Sequence, residues 1–287
     1  MIAPKRDLVI ENIKNSIGNG EFNYKVEVDD PDLSYEEKRQ LLGDFIKYRK
    51  TFSYKVKNCI NRMIVNSATW YINRTTEIKG IENIKGIQNS AIITSNHFNP
   101  IDNTIIRDFV MKSGKRRLYI ISQETNLAMR GIIGFLMKYA DIIPISSERK
   151  YMENVFPKLI EERIENKDFV LIYPEQEMWF NYRKPRNLKR GAYYYAAKYN
   201  VPIISCFVEI RNLEEMETIE FHKVKYILHI LKPIFPDSSK SIKENSENMC
   251  KIDYNQKKEA YEKIYGKKLN YEFEPEDIAC CAFHLCM

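Results

Sequence analysis

Between residues 77 and 210, short runs of apolar, β-branched residues alternate with longer stretches at helical spacing. The runs are 91–95 (AIITS), 118–122 (LYIIS), 141–146 (DIIPIS), 169–173 (FVLIY) and 201–210 (VPIISCFVEI). The intervening spacing predicts helices over 100–112, 127–139, about 149–165 and 191–199. A further strand is expected at 224–232. Runs that stay apolar at consecutive positions suit strands covered on both faces, and their alternation with helices points to an α/β fold with a central, mostly buried β-sheet flanked by helices.

The flanks differ in character. Residues 1–74 form an N-terminal helical extension in this reading. Within it, Ser34 stands as an N-cap with Glu37 three residues on. The stretch 52–74 carries Val56, Cys59, Ile60, Met63, Ile64, Ala68 and Tyr71 on one side at helical spacing. A stripe of this kind ordinarily packs into a core. The other reading is an interfacial helix, with Lys55, Lys57 and Arg62 meeting anionic headgroups and Trp70 at the polar boundary. The sheet-bearing domain is expected at 75–236. Residues 237–287 are expected as a C-terminal tail, polar over 237–258 and helical or irregular beyond.

The chain has 287 residues, enough to bury a sizeable core, and a formal net charge of +6 that favours anionic partners such as acidic membrane surfaces, phosphorylated lipids or coenzyme A. Its six cysteines form no disulfide framework and no CxxC pair. The first thirty residues lack the apolar core of a signal peptide, and no window of about 18 apolar residues offers a spanning helix. Any membrane contact is therefore expected to be peripheral, at the cytoplasmic face.

The strand at 91–95 runs into Asn96-His97-Phe98-Asn99-Pro100-Ile101-Asp102. Residues five apart in a helix point about 140° away from each other, so His97 and Asp102 cannot meet within one helix. Asn99 as N-cap and Pro100 at the first helical position would leave His97 in the loop and bring Asp102 back toward it. A carboxylate on one imidazole nitrogen fixes the tautomer and leaves the other nitrogen as a general base. The alternative is a capping Asp beside an unrelated loop His.

A second candidate site lies at 173–191. Pro174 ends the strand at 169–173 and sets Glu175 at its carboxyl end, the edge where open α/β sheets bind ligands. The following loop holds Arg183, Lys184, Arg186, Lys189 and Arg190, interleaved with Trp179, Phe180 and Tyr182, and Gly191 opens a helix. One reading is a headgroup or phosphate site helped by the helix N-terminus. The other is a solvated basic loop. The cluster is too short and the chain too mildly basic for a nucleic-acid partner.

Together and in this order, the two segments resemble the PlsC-type lysophospholipid acyltransferases, the 1-acyl-glycerol-3-phosphate acyltransferase family. Gly80, Glu82 and Asn83 stand for that family's Gly-x-Glu-Asn, and Asn96, His97 and Asp102 for its Asn-His-x4-Asp. Pro174-Glu175 matches the start of Pro-Glu-Gly, Lys189-Arg190-Gly191 matches Lys-x-Gly, and Val201-Pro202-Ile203 matches the Val-Pro-Ile strand. The resemblance covers roughly 77–235. It implies a glycerophospholipid-acyltransferase-like domain, with His97 and Asp102 as catalytic pair and Asn96, Pro174, Glu175, Arg183, Lys184, Lys189 and Gly191 around the substrates. It also implies acyl-CoA or acyl-carrier protein as co-substrate, with no cofactor or metal, a lysolipid acceptor and a role in phospholipid biosynthesis. No covalent nucleophile is needed, and no Gly-x-Ser-x-Gly elbow is present. Departures bear on the acceptor. The family's Gly is Gln176, its phosphate-binding Arg is Met178, the second-motif Arg falls at Arg149, and a common Lys is Ser122 or Gln123. Either Arg149, Arg183 or Lys184 compensates, or the acceptor is another lysolipid or a glycolipid, or the scaffold binds lipid without catalysis.

Other residues carry plainer expectations. Cys280, Cys281, His284 and Cys286 match no zinc spacing. His222 and His229 sit at odd spacing on a strand, so they should face opposite sides in structural roles. Cys206 belongs to a buried strand.

Overall fold

The computed structural model describes residues 5–28, 31, 33–114 and 117–281. Three helices come first, α1 (Arg6–Gly18), α2 (Tyr35–Tyr48) and α3 (Phe52–Ile72). They are followed by β1 (Glu77–Lys79), β2 (Ala91–Thr94), α4 (Asp102–Lys112), β3 (Leu118–Gln123), α5 (Gly131–Lys138), β4 (Ile142–Ile145), α6 (Arg149–Asn154), α7 (Phe156–Glu165) and β5 (Phe169–Ile172). The chain closes with α8 (Gly191–Lys198), β6 (Ile203–Met216), β7 (His222–Ile230) and α9 (Ile242–Tyr265). This is the mixed α/β architecture expected, one seven-stranded sheet in the order β1-β7-β6-β2-β5-β3-β4 with helices on its faces. β6, β2, β5, β3 and β4 run parallel, while β7 is antiparallel to β6 and pairs in parallel with β1.

Both faces of the sheet are covered. Ile93, Phe98, Leu171 and Ile204 pack with Ile105, Ile106 and Phe109 of α4 on one side. Ile92, Val170 and Ile203 pack with Phe156 and Ile160 of α7 and Tyr193 of α8 on the other. The Gly-x-Glu-Asn segment ties down the β1–β2 connection. Gly80 has φ +79°, and a Cβ there would meet the Ile230 carbonyl oxygen at 2.2 Å, while Asn83 Nδ2 donates to that oxygen at 2.8 Å. Only glycine fits so close an approach.

Four expectations need correction. The α4 helix starts at Asp102 rather than Pro100, because Asn99 Oδ1 accepts from Ile101 N at 3.2 Å and caps a turn ahead of the helix. The helix expected over 127–139 is confined to α5, since 124–128 form a 3-10 turn. The apolar stripe of α3 does not enter the core: Ile60 is 50% and Met63 68% exposed, while the buried side is mostly polar, with Asn58, Asn61 and Thr69 beside Tyr54. Asn58 Nδ2 donates to Asp141 Oδ1 at 2.8 Å and Asn61 Nδ2 to the Leu136 carbonyl at 3.1 Å, and Tyr54 packs against Phe45 and Tyr139, so side-chain hydrogen bonds together with this one aromatic side chain dock the helix. Finally, the segment read as polar and a tail contains α9. Its stripe at Asn245, Met249, Asp253, Lys257 and Tyr261 is buried, and Ile278, Ala279 and Cys280 beyond it are core residues.

Candidate active site

β2 ends at Thr94 and the chain turns over the carboxyl edge of the sheet. Buried Asn96 fixes this turn: its Nδ2 donates to the Val208 carbonyl at 3.0 Å and its Oδ1 accepts from Val208 N at 2.8 Å. The side chain thus continues the β2–β6 ladder where the backbone leaves it, and it holds the loop rather than facing a ligand. His97 follows with its ring 22% exposed, and its Nδ1 lies 2.8 Å from Asp102 Oδ2. Asp102 is buried. The same Oδ2 accepts from Phe98 N at 2.9 Å and Asn99 N at 3.3 Å, and Oδ1 accepts from the Tyr173 hydroxyl at 2.6 Å. Tyr173 also stacks on the imidazole, ring centroids 3.9 Å apart and 12° from parallel. Burial first, and Asp102 next, hold the Tyr173 phenol well above its usual range, so it remains a donor. Among the described residues none engages His97 Nε2. The arrangement is that of an oriented general base with its outer nitrogen free.

Pro174 and Glu175 follow β5, both buried. Glu175 Oε2 accepts from His97 N at 3.2 Å and Oε1 from Arg186 N at 3.0 Å. Arg186 completes the clamp. Its Nη2 lies 2.9 Å from Glu175 Oε2 and donates to the His97 carbonyl at 3.3 Å and to the Glu177 carbonyl, while Nη1 donates to the Phe22 carbonyl at 3.1 Å. The guanidinium also sits 4.6 Å from the centre of the Trp179 ring. Burial pushes its pKa down against the pull of Glu175. Glu175 and Arg186 therefore support the His97 loop from below.

The basic loop is not one cluster. Lys184 is buried, 2.8 Å from Asp277 Oδ2, and donates to the Glu272 carbonyl at 2.7 Å. Arg183 donates to the carbonyls of Ile210 at 3.1 Å and Glu276 at 2.8 Å. Both side chains are spent binding the C-terminal segment and β6. Lys189 and Gly191 are exposed, Lys189 N donating to the Pro174 carbonyl at 2.8 Å and Gly191 opening α8. Arg149 pairs with Glu153 at 2.7 Å on the exposed α6. A groove of about 620 Å³, lined by Ile121, Ile145, Ile172 and Tyr194 with Arg190 and Lys243, opens on the α7–α8 side of the sheet, opposite the face that carries α4.

The sequence paired His97 with Asp102 but set Glu175 in a separate second site around the substrates, whereas the structure places it against the His97 loop; Tyr173 and Arg186 were missed as partners. For Tyr173 a signal existed: alternation along 169–173 sets it on the same face as Leu171, above α4. For Arg186 there was none, since five cations in one loop look alike until the fold buries one. Cys206 is a core residue, its thiol pushed up to about 12 by burial. His229 Nε2 lies 2.7 Å from Glu209 Oε2, and His222 Nδ1 is 3.0 Å from the Leu213 carbonyl oxygen. Among the described residues no group of three or more His, Cys, Asp or Glu converges on a metal position; His284 and Cys286 lie outside those residues.

Residues 75–209, the segment that contains His97, Asp102, Tyr173, Glu175 and Arg186, match the family model described as Acyltransferase. Among solved structures, the 1-acyl-sn-glycerophosphate (LPA) acyltransferase PlsC from Thermotoga maritima is similar, at 16% identity over 92% of this chain and 97% of that one, with a TM-score of 0.49. No curated protein matches the chain. Over residues 75–209, then, the chain is similar to the acyltransferase family.

Proposed function

We propose that the protein moves a fatty acyl group from the thioester of acyl-CoA or acyl-carrier protein to the hydroxyl of a lysolipid, with His97 as general base and Asp102 as its orienting carboxylate. The observation that carries this reading is the 2.8 Å contact between His97 Nδ1 and Asp102 Oδ2, with Nε2 unengaged among the described residues. Nε2 takes the proton of the acceptor hydroxyl as the oxygen attacks the thioester carbonyl. The carbon–sulfur bond then breaks, and the imidazolium returns the proton to the departing thiolate. Asp102 stabilises the imidazolium without taking its proton. The experiment is turnover of both thioesters against a panel of lysolipids, with products identified: an esterified acceptor supports the reading, and free fatty acid as sole product contradicts it.

Motif order favours 1-acyl-glycerol-3-phosphate or a related lysophospholipid as acceptor. A specific observation favours a second reading, a glycolipid or other acceptor without a terminal phosphate. Met178 stands where the family has Arg, and Arg183, Lys184 and Arg186 are committed to protein partners. Comparing lysophosphatidate with neutral lysolipids and lysoglycolipids in the same panel separates the two.

Peripheral attachment to the cytoplasmic face of a membrane belongs to the same proposal. It is supported by the outward apolar side of α3 and by exposed Ile132 and Ile133 on α5, joined to α3 through Asn61. Among the described residues no helix is long and apolar enough to cross a membrane, and an apolar face beside cations suits interfacial seating. Asn73, which caps α3, donates to Thr104 of α4 at 3.0 Å, so this surface adjoins the helix that bears Asp102.

A further inference from the structure

Tyr173 touches both members of the His97–Asp102 pair. Its ring lies flat on the imidazole at 3.9 Å, and its hydroxyl gives Asp102 Oδ1 a hydrogen bond at 2.6 Å. The fold brings it there through strand register: Thr94 of β2 is level with Ile172 of β5, so Tyr173 comes one step beyond, beside the start of the His97 loop. We propose that Tyr173 is a positioning residue for the reaction, its ring setting the plane of the imidazole and its hydroxyl drawing off part of the Asp102 charge. The proposal rests on the reading of His97 as base.

The donors to Asp102 are divided unequally. Oδ2 receives His97 Nδ1 and the amides of Phe98 and Asn99, whereas among the described residues Oδ1 receives Tyr173 alone. Without that hydroxyl a buried carboxylate oxygen loses its donor, and the undiluted charge holds a protonated imidazole more firmly. The other groups around the pair are balanced or neutral. Glu175 and Arg186 form a buried ion pair beneath His97. Tyr226 of β7, which receives a hydrogen bond from Asn99 Nδ2 at 3.4 Å, is held protonated by burial. Cys206 of β6 has its thiol pushed up to about 12. The Tyr173 hydrogen bond is therefore the contact through which Asp102 is tuned.

The test compares wild type with Tyr173→Phe, which keeps the stack and loses the hydroxyl, and Tyr173→Leu, which loses both. The imidazole Cε1 proton of His97, assigned by its disappearance in His97→Ala, is titrated by NMR alongside the pH dependence of turnover. For Tyr173→Phe the midpoint should rise by roughly half a pH unit or more, and the acid limb of the rate profile should move with it. Its kcat should fall about 3- to 10-fold with acceptor KM held, and Tyr173→Leu should lose more. If Tyr173→Phe melts early, 3-fluorotyrosine at 173, a stronger donor, should move the midpoint the opposite way. An unmoved midpoint in Tyr173→Phe, or in the fluorotyrosine protein where it replaces it, overturns the proposal. Full turnover by His97→Ala instead overturns the general-base reading, which the titration itself does not depend on.

Discussion

Arg186 Nη2 lies 2.9 Å from Glu175 Oε2, and both side chains are buried beneath the loop that carries His97. The pair spans the chain: Glu175 receives the His97 amide, and Arg186 reaches the His97 carbonyl and the Phe22 carbonyl of the N-terminal segment. Removing one partner leaves a buried charge without compensation. Arg186→Ala should therefore cost about 3–5 kcal/mol in urea unfolding and abolish turnover. Arg186→Lys should recover little, because one ammonium cannot serve that set of acceptors. Replacing both, as Glu175→Gln with Arg186→Met, should cost less than Arg186→Ala alone. A greater loss in the double variant would contradict this account of the pair.

Gln176 stands at φ +69°, in the left-handed region, where the related motif has glycine. Its side chain is exposed, so little contact is lost on truncation. Relief of the backbone strain, offset by the greater freedom of glycine when unfolded, should make Gln176→Gly more stable by up to about 1 kcal/mol. A lower melting temperature would show that the side chain holds something the backbone does not reveal.

The α3 surface predicts a separation of binding from folding. Met63 is 68% exposed, so Met63→Glu removes no core contact. Flotation with anionic vesicles should drop several-fold in this variant with the melting temperature unchanged. Equal flotation of variant and wild type would detach α3 from the membrane role.

Thiol chemistry distinguishes core from surface. Cys59 is exposed, whereas Cys206 is buried with its thiol pushed up to about 12. At pH 8 a native sample treated with a thiol reagent should label Cys59 and spare Cys206 until urea is added. Mass-spectrometric detection of native Cys206 labelling would mean that β6 opens locally.

Particular residues show how much was legible. The strands announced themselves because both faces of the sheet are buried, so runs such as 91–95 and 169–173 are apolar at consecutive positions. The resemblance to the acyltransferases rested on order and spacing around His97 and Pro174. α9 stayed hidden because its buried stripe is polar: Lys257 Nζ donates to Thr94 Oγ1 at 3.0 Å and Ser205 Oγ at 3.3 Å, and Thr94 Oγ1 donates to Asp253 Oδ2 at 2.7 Å. Hydropathy counts such residues as surface. The same blindness reversed α3, where asparagines face inward and isoleucines outward. In the loop at 183–190 the partners that bury Lys184 and Arg186 lie far away in sequence, at Asp277 and Phe22. Charge alone could not sort structural cations from exposed ones.

The most direct test of the account is acyl transfer by purified wild type and His97→Ala, each checked for an unchanged melting curve, with acyl-CoA and acyl-carrier protein against the lysolipid panel. The account predicts that the folded variant loses transfer by about 100-fold or more, the contribution of a positioned base. Transfer at the wild-type rate by folded His97→Ala would contradict it.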